Sequence, residues 1–78
     1  MNKTTDVRFT LKTIREVRGI SQSKAAEMLG ISTDTLSNYE RGKSYPDIPV
    51  LRKIEEVYEV RYDQLIFLPI DYGLTINK

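Results

Sequence analysis

Gly30 is the residue that most constrains how this chain can fold. It stands between "SQSKAAEML" and "STDTLSNYE", two segments that each carry a helix start, and it leaves no room for a linker. Ser21 and Ser32 are short hydroxyl side chains placed to accept a backbone N–H of the turn that follows, so each is an expected N-cap. Glycine adopts positive φ without a steric penalty, so the chain can stop one helix and enter the next at a sharp angle. Ile31 at N′ faces Leu36 at N4, which forms a hydrophobic staple across the second start.

The remaining segments follow the same grammar. Leu11, Ile14 and Val17 recur at helical spacing, and Gly19 follows as a stop, so a first helix is expected from about Thr10 to Arg18. Ala25, Ala26, Met28 and Leu29 are the expected inner side of the second helix, and Ile20 can staple onto Ala25. Asp47 can cap a fourth helix over 48–58, with Pro49 in the first turn, where its missing N–H costs little. Val50, Leu51, Ile54, Val57 and Tyr58 form the apolar face of that helix. A short fifth helix is expected over 62–67, with Leu65 and Ile66 inward. After it the period changes: Ile70, Tyr72, Leu74 and Ile76 alternate with polar or small residues, which is strand spacing. Val7 and Phe9 echo it, so a two-stranded ribbon could join the ends or pair with a second subunit. The organisation is therefore an N-terminal arm (1–9), one helical domain (10–67) and a C-terminal tail (68–78), extended or β and available for dimerisation.

The third segment poses a different question. Thr33, Asp34, Thr35, Ser37 and Asn38 are mediocre helix formers in the interior of an expected helix. At about 100° per residue, Thr33, Ser37, Arg41, Asp34 and Asn38 fall within an arc of about 140°, with Leu36 and Tyr39 outside it. Every side chain in that stripe can donate or accept hydrogen bonds at a base edge. Threonine also offers a methyl for thymine, asparagine suits adenine, and aspartate can accept from cytosine N4. Asp34 also complements the positive end of the helix dipole, as Arg41 in the expected last turn complements the negative one.

Composition narrows the function. The 78 residues contain no cysteine and no histidine, which removes disulfides, thiolate ligands and the commonest general base and metal ligand. No catalysis, cofactor, metal or small-molecule ligand is expected. No apolar run approaches the roughly 18 residues of a membrane span, and "MNKTTDVRFT" lacks the apolar core of a secretory signal. The cytoplasm is the expected compartment. The net charge of +1 is unevenly spread. Residues 1–43 carry eight Lys/Arg against five Asp/Glu, or +3, and residues 44–78 carry four against six, or −2. A basic front half is compatible with a polyanionic partner.

Two short helices around Gly30 are a helix-turn-helix candidate. Ala26 is small where the second helix must cross, and Ala25, Leu29, Ile31, Leu36 and Tyr39 are placed to brace both from inside. With these residues in place, the chain from 11 to 67 resembles the five-helix DNA-binding domain of the phage Cro/C1-type (xenobiotic-response-element-type) repressors. The family pattern "SQ…A…LG(I/V)S…(I/L)S.(Y/W)E.G...P" is met by Ser21, Gln22, Ala26, Leu29, Gly30, Ile31, Ser32, Leu36, Ser37, Tyr39, Glu40, Gly42 and Pro46. The resemblance covers about three quarters of the chain. It implies an all-α fold, base contacts from Thr33, Asp34, Ser37 and Asn38, and phosphate contacts from Gln22, Arg41, Lys43 and the following loop, Ser44 and Tyr45. It also implies an internal ion pair between Arg15 and Glu40. Two positions depart from the pattern: Glu59 stands where glycine is usual, and Arg61 where Ser, Thr or Asp caps the last helix.

Each site residue also has a structural reading. Gln22 could be a solvated first-turn residue, Arg41 and Lys43 could only complement the helix dipole, and the Tyr45 ring could pack within its loop. The functional expectation is a small regulator, a repressor of phage or mobile-element type, that binds double-stranded DNA at a palindromic operator as a homodimer. The alternative is an antitoxin-like interaction module that binds a toxin and autoregulates its operon.

Overall fold

In the computed structural model, which describes residues 7–67, four helices form, each starting at a side chain that accepts a backbone N–H. Helix α1 (Leu11–Val17) is capped by Thr10, whose Oγ1 accepts from the Thr13 N–H at 3.1 Å. Helix α2 (Gln22–Leu29) starts at Ser21, which accepts from the Lys24 N–H at 3.1 Å. Helix α3 (Thr33–Glu40) starts at Ser32, with the Thr35 N–H at 3.0 Å. Helix α4 (Ile48–Tyr58) starts at Asp47, which accepts from the Val50 N–H at 3.2 Å and is followed by a proline in the first turn, as expected.

All four helices end alike. The N–H groups of Ile20, Ile31, Lys43 and Val60 reach back to the carbonyls of Arg15, Ala26, Asn38 and Glu55 at 2.8–3.2 Å. These are six-to-one closures around a left-handed residue, which satisfy carbonyls the helix itself leaves unpaired. The left-handed residue is glycine at 19, 30 and 42, but at the end of α4 it is Glu59, at φ 54°. The expected departure at Glu59 is therefore one of residue type, not of turn geometry. Arg18 reinforces this end: its Nε donates to the Tyr58 carbonyl at 2.6 Å and its Nη2 to the Glu59 carbonyl at 2.8 Å.

The expected fifth helix over 62–67 is instead one turn of 3-10 helix, Tyr62–Gln64, running into a strand, β2 (Leu65–Ile66). Arg61 has no acceptor to offer as a cap. The Gln64 Oε1 accepts from the Arg61 N–H at 3.1 Å, and the Glu55 Oε2 accepts from the Tyr62 N–H at 2.7 Å. Leu65 is already extended, at φ −93° and ψ 140°. It pairs in parallel with β1 (Phe9–Thr10), Phe9 opposite Leu65 and Thr10 opposite Ile66. The described residues are thus mainly helical with a two-stranded ribbon joining the two ends, rather than all-α. The ribbon uses Leu65 and Ile66, while the alternating residues 70–76 lie outside the described residues.

The core consists of Leu11, Ile14, Ala25, Ala26, Leu29, Leu36, Ile54, Tyr58, Val60 and Leu65. Helix α2 lies against both α3 and α4, and α1 packs on α3. Three residues expected to face inward lie outside it: Val17 is 59%, Met28 42% and Ile66 41% exposed. Ala25, Ala26 and Leu29 already fill the inner face of α2, so Met28 falls on its flank.

Candidate nucleic-acid interface

Helix α3 separates its two faces cleanly. Leu36 is fully buried, Glu40 is buried, and Tyr39 is half-buried against the core. On the other side Thr33, Asp34 and Arg41 are exposed, and Ser37 and Asn38 are half-buried at its margin. The structure therefore brings the five stripe residues onto one outward face. Asp34 is in the first turn, and Arg41 is the C-terminal cap rather than a last-turn residue. The weak helix-forming interior is held by its ends: Ser32 at the start and the Lys43–Asn38 closure, 2.8 Å, at the finish. Thr35 belongs to the fold, because its hydroxyl bonds that of Ser32 at 2.8 Å.

Behind this face lies a buried polar cluster contributed by three helices. Arg15 of α1 donates from Nε to the Glu40 Oε2 at 2.7 Å and from Nη2 to Oε1 at 3.2 Å. Its Nη1 donates to the Ile20 carbonyl at 2.9 Å. The two side chains are only 9% and 3% exposed, so the expected internal ion pair forms. Gln22, the first residue of α2, completes the cluster by donating from Nε2 to the Glu40 Oε1 at 3.0 Å. The hydrogen bond to Glu40 holds the Arg15 pKa above its ordinary value, against the effect of burial. Glu40 is therefore structural: it fixes the C-terminal end of α3 to α1 and to the N-terminus of α2. The family resemblance implied the ion pair, but Gln22 was missed as its third member. One of the two amide hydrogens of Gln22 is engaged, which leaves the other for an external acceptor.

Beneath the cluster, the Tyr58 hydroxyl is fully buried and has no hydrogen-bond partner among the described residues. Burial, with the nearby Glu40 charge second and Arg15 opposing, pushes its pKa up to about 12.

Beyond α3, Lys43 is exposed and Ser44 half-buried in the loop, on the side of the stripe's C-terminal end. Tyr45 is 47% exposed, and its ring meets Phe67 edge-on with centroids 6.2 Å apart. The ring thus packs on Phe67, which follows β2 and lies outside the loop of Tyr45, with the residue still at the surface. Among the described residues, no group of His, Cys, Asp and Glu side chains could hold a metal ion. Among them too, no helix is long and apolar enough to cross a membrane.

The helix–glycine–helix unit of α2 and α3, with Ala26 buried at their crossing and Gly30 at φ 76°, has the geometry of a helix-turn-helix. A sequence profile of the helix-turn-helix family matches residues 11–65. The chain belongs to that family. It is 43% identical over 56 residues to the HTH-type transcriptional regulator ImmR of Bacillus subtilis (strain 168), a match covering 72% of this chain and 44% of the relative. It is 40% identical over 70 residues to a putative HTH-type transcriptional regulatory protein of Methanocaldococcus jannaschii, covering 87% of this chain and 22% of that protein. An uncharacterised HTH-type regulator derived from the SPbeta prophage of Bacillus subtilis, YonR, is 38% identical over 56 residues, covering 72% and 52%. The helix-turn-helix chain thus spans about half or less of the length of these curated relatives.

Proposed function

We propose that this helix-turn-helix protein is a sequence-specific DNA-binding transcriptional regulator of phage or mobile-element type, which represses by occupying its operator. One observation carries the reading: α3 turns its hydrogen-bonding side chains, exposed Thr33, Asp34 and Arg41 with half-buried Ser37 and Asn38, to one outward face while its back is fixed by Leu36, Tyr39 and Glu40. Helix α3 lies in the major groove, where Thr33, Asp34, Ser37 and Asn38 contact base edges. Gln22, Arg41, Lys43, Ser44 and Tyr45 contact phosphates and set the register. The reading needs no cofactor and no catalytic step. The relatives' descriptions as transcriptional regulators, one of them prophage-derived, favour it over a toxin-binding module.

The protein binds a palindromic operator as a homodimer, with half-sites about 34 Å apart. An apolar surface beside the loop supports this. Tyr45, Pro46, Leu51, Tyr62 and Phe67 line a groove that continues past Tyr62 and Leu51 to Ile48. Tyr45, Ile48 and Tyr62 are 47%, 63% and 57% exposed, and Arg52 and Glu55 at its rim can pair reciprocally across a twofold axis. Sedimentation of the DNA-free protein tests this part, and a monomer at micromolar concentration contradicts it.

The decisive experiment selects bound sites from random DNA at stated salt and then repeats the selection with single variants. Asn38→Ala is expected to cost about 1–3 kcal/mol at one base position, whereas Gln22→Ala weakens all sequences alike. If no stripe variant changes preference anywhere, direct readout by α3 is wrong.

A further inference from the structure

Within the stripe, two residues are bonded to each other. The Arg41 Nη2 donates to the Asn38 Oδ1 at 3.2 Å. A guanidinium has donors only, so the amide atom facing it must be the oxygen, and the amino group must face away. The backbone of Asn38 is fixed as well, because its carbonyl accepts the Lys43 N–H that closes the helix. What remains to be set at Asn38 is the side chain, including which way round its amide lies, and the bond from Arg41 engages that amide oxygen.

That orientation has a direct consequence at a base edge. Turning a carboxamide over exchanges a donor for an acceptor with almost no change in shape. Adenine presents N7 as acceptor beside its N6 donor, whereas guanine presents two acceptors, N7 and O6. For an amide whose donor and acceptor match one edge, turning over places acceptor against acceptor. An amide held one way therefore discriminates between base pairs, and an amide that turns over reads more than one.

We propose that Arg41 is a specificity-determining residue: it fixes the orientation of the Asn38 amide and thereby sets which base pair that residue accepts. This rests on the assignment of Asn38 as a base-contacting residue and goes beyond a phosphate contact for Arg41. The two roles of Arg41 have different signatures. A phosphate contact is indifferent to sequence, and its loss lowers every affinity together and reduces the salt dependence. An orienting contact changes preference at one position, the position read by Asn38.

The test compares site-selection profiles and salt dependence for the full chain, Asn38→Ala and Arg41→Ala. The Arg41 side chain is exposed and outside the core, so its truncation leaves the domain folded. Asn38→Ala locates the base position concerned. Arg41→Ala is expected to flatten preference at that same position by about fivefold or more, with other positions unchanged. If Arg41→Ala instead lowers all affinities equally and leaves that position as selective as before, the proposal is overturned while base reading by Asn38 stands. If Asn38→Ala changes no preference at all, base reading by Asn38 fails and the proposal falls with it.

Discussion

Replacing Arg15 by methionine tests whether the cluster behind α3 governs the stability of the domain. Methionine keeps much of the volume and removes all three guanidinium bonds. Among the described residues Glu40 then retains only the 3.0 Å side-chain bond from Gln22, with its side chain 3% exposed, and the Ile20 carbonyl loses its 2.9 Å donor. An exposed pair would be worth about 0–1 kcal/mol. Stranding one buried partner costs about 3–5 kcal/mol, because the uncompensated charge stays in a poorly solvating site. Small domains are stable by only about 5–15 kcal/mol, so the loss takes a large share. At about 4–8 °C per kcal/mol for a domain of this size, the midpoint should fall by more than 10 °C. Thermal and denaturant melts followed by helical circular dichroism give the value. Removing both partners in Arg15→Met/Glu40→Leu should restore most of the loss, since well-packed apolar replacements of a buried pair are often neutral or better. A single-variant loss below about 1 kcal/mol, or a double variant equal to the sum of its singles, would refute the buried-pair reasoning.

Two further outcomes follow from the other end of the core. Glu59 holds a left-handed conformation that disfavours any side chain, so Glu59→Gly should stabilise by about 0.5–1 kcal/mol while Glu59→Ala does not; equal melts for all three proteins would show that no strain resides there. Tyr58→Phe removes a buried hydroxyl that has no partner among the described residues and should be neutral or stabilising near pH 7 by up to about 1 kcal/mol. The Tyr58 pKa lies at about 12 in the folded protein, above the ordinary tyrosine value near 10. Deprotonation thus favours the unfolded chain, and the wild type should lose more stability than Tyr58→Phe between pH 10 and 12, with no difference in slope below pH 9. Parallel slopes across that window would place the hydroxyl in contact with water.

Much of this fold was legible because its helix boundaries are written in local chemistry. Asp47, Pro49 and the spacing of Leu51, Ile54 and Tyr58 specify α4 within one stretch of chain, and Ser21, Gly30 and Ser32 do the same for α2 and α3. Errors fell where the deciding partner is distant. Leu65 and Ile66 suit a helix or a strand equally well, and they become β2 because Phe9 and Thr10 offer a backbone edge. Met28 fits the apolar period of α2 but is displaced by the alanines that let α3 approach. Arg18 gave no signal at all: its role depends on the carbonyls of Tyr58 and Glu59, which only the folded chain brings within reach. For the site, periodicity found the stripe, but neither the Gln22–Glu40 bond nor the Asn38–Arg41 bond could be inferred from residue type alone.

These bonds explain why α3 tolerates an interior of weak helix formers. Helical stability can come from caps, from closures and from a packed face, as well as from intrinsic propensity. In α3 the first two are supplied by Ser32 and by the Gly42–Lys43 turn, and the third by Leu36 and Tyr39. The cluster of Arg15, Gln22 and Glu40 then fixes the C-terminal end of α3 against both preceding helices. The side chains of Thr33, Ser37 and Asn38 are consequently not needed to hold the helix together, and that of Asp34 adds only its complement to the dipole. Under the proposed base-reading role, their identities can be set by the partner they face, which is the condition under which one scaffold can change what it reads without changing how it folds.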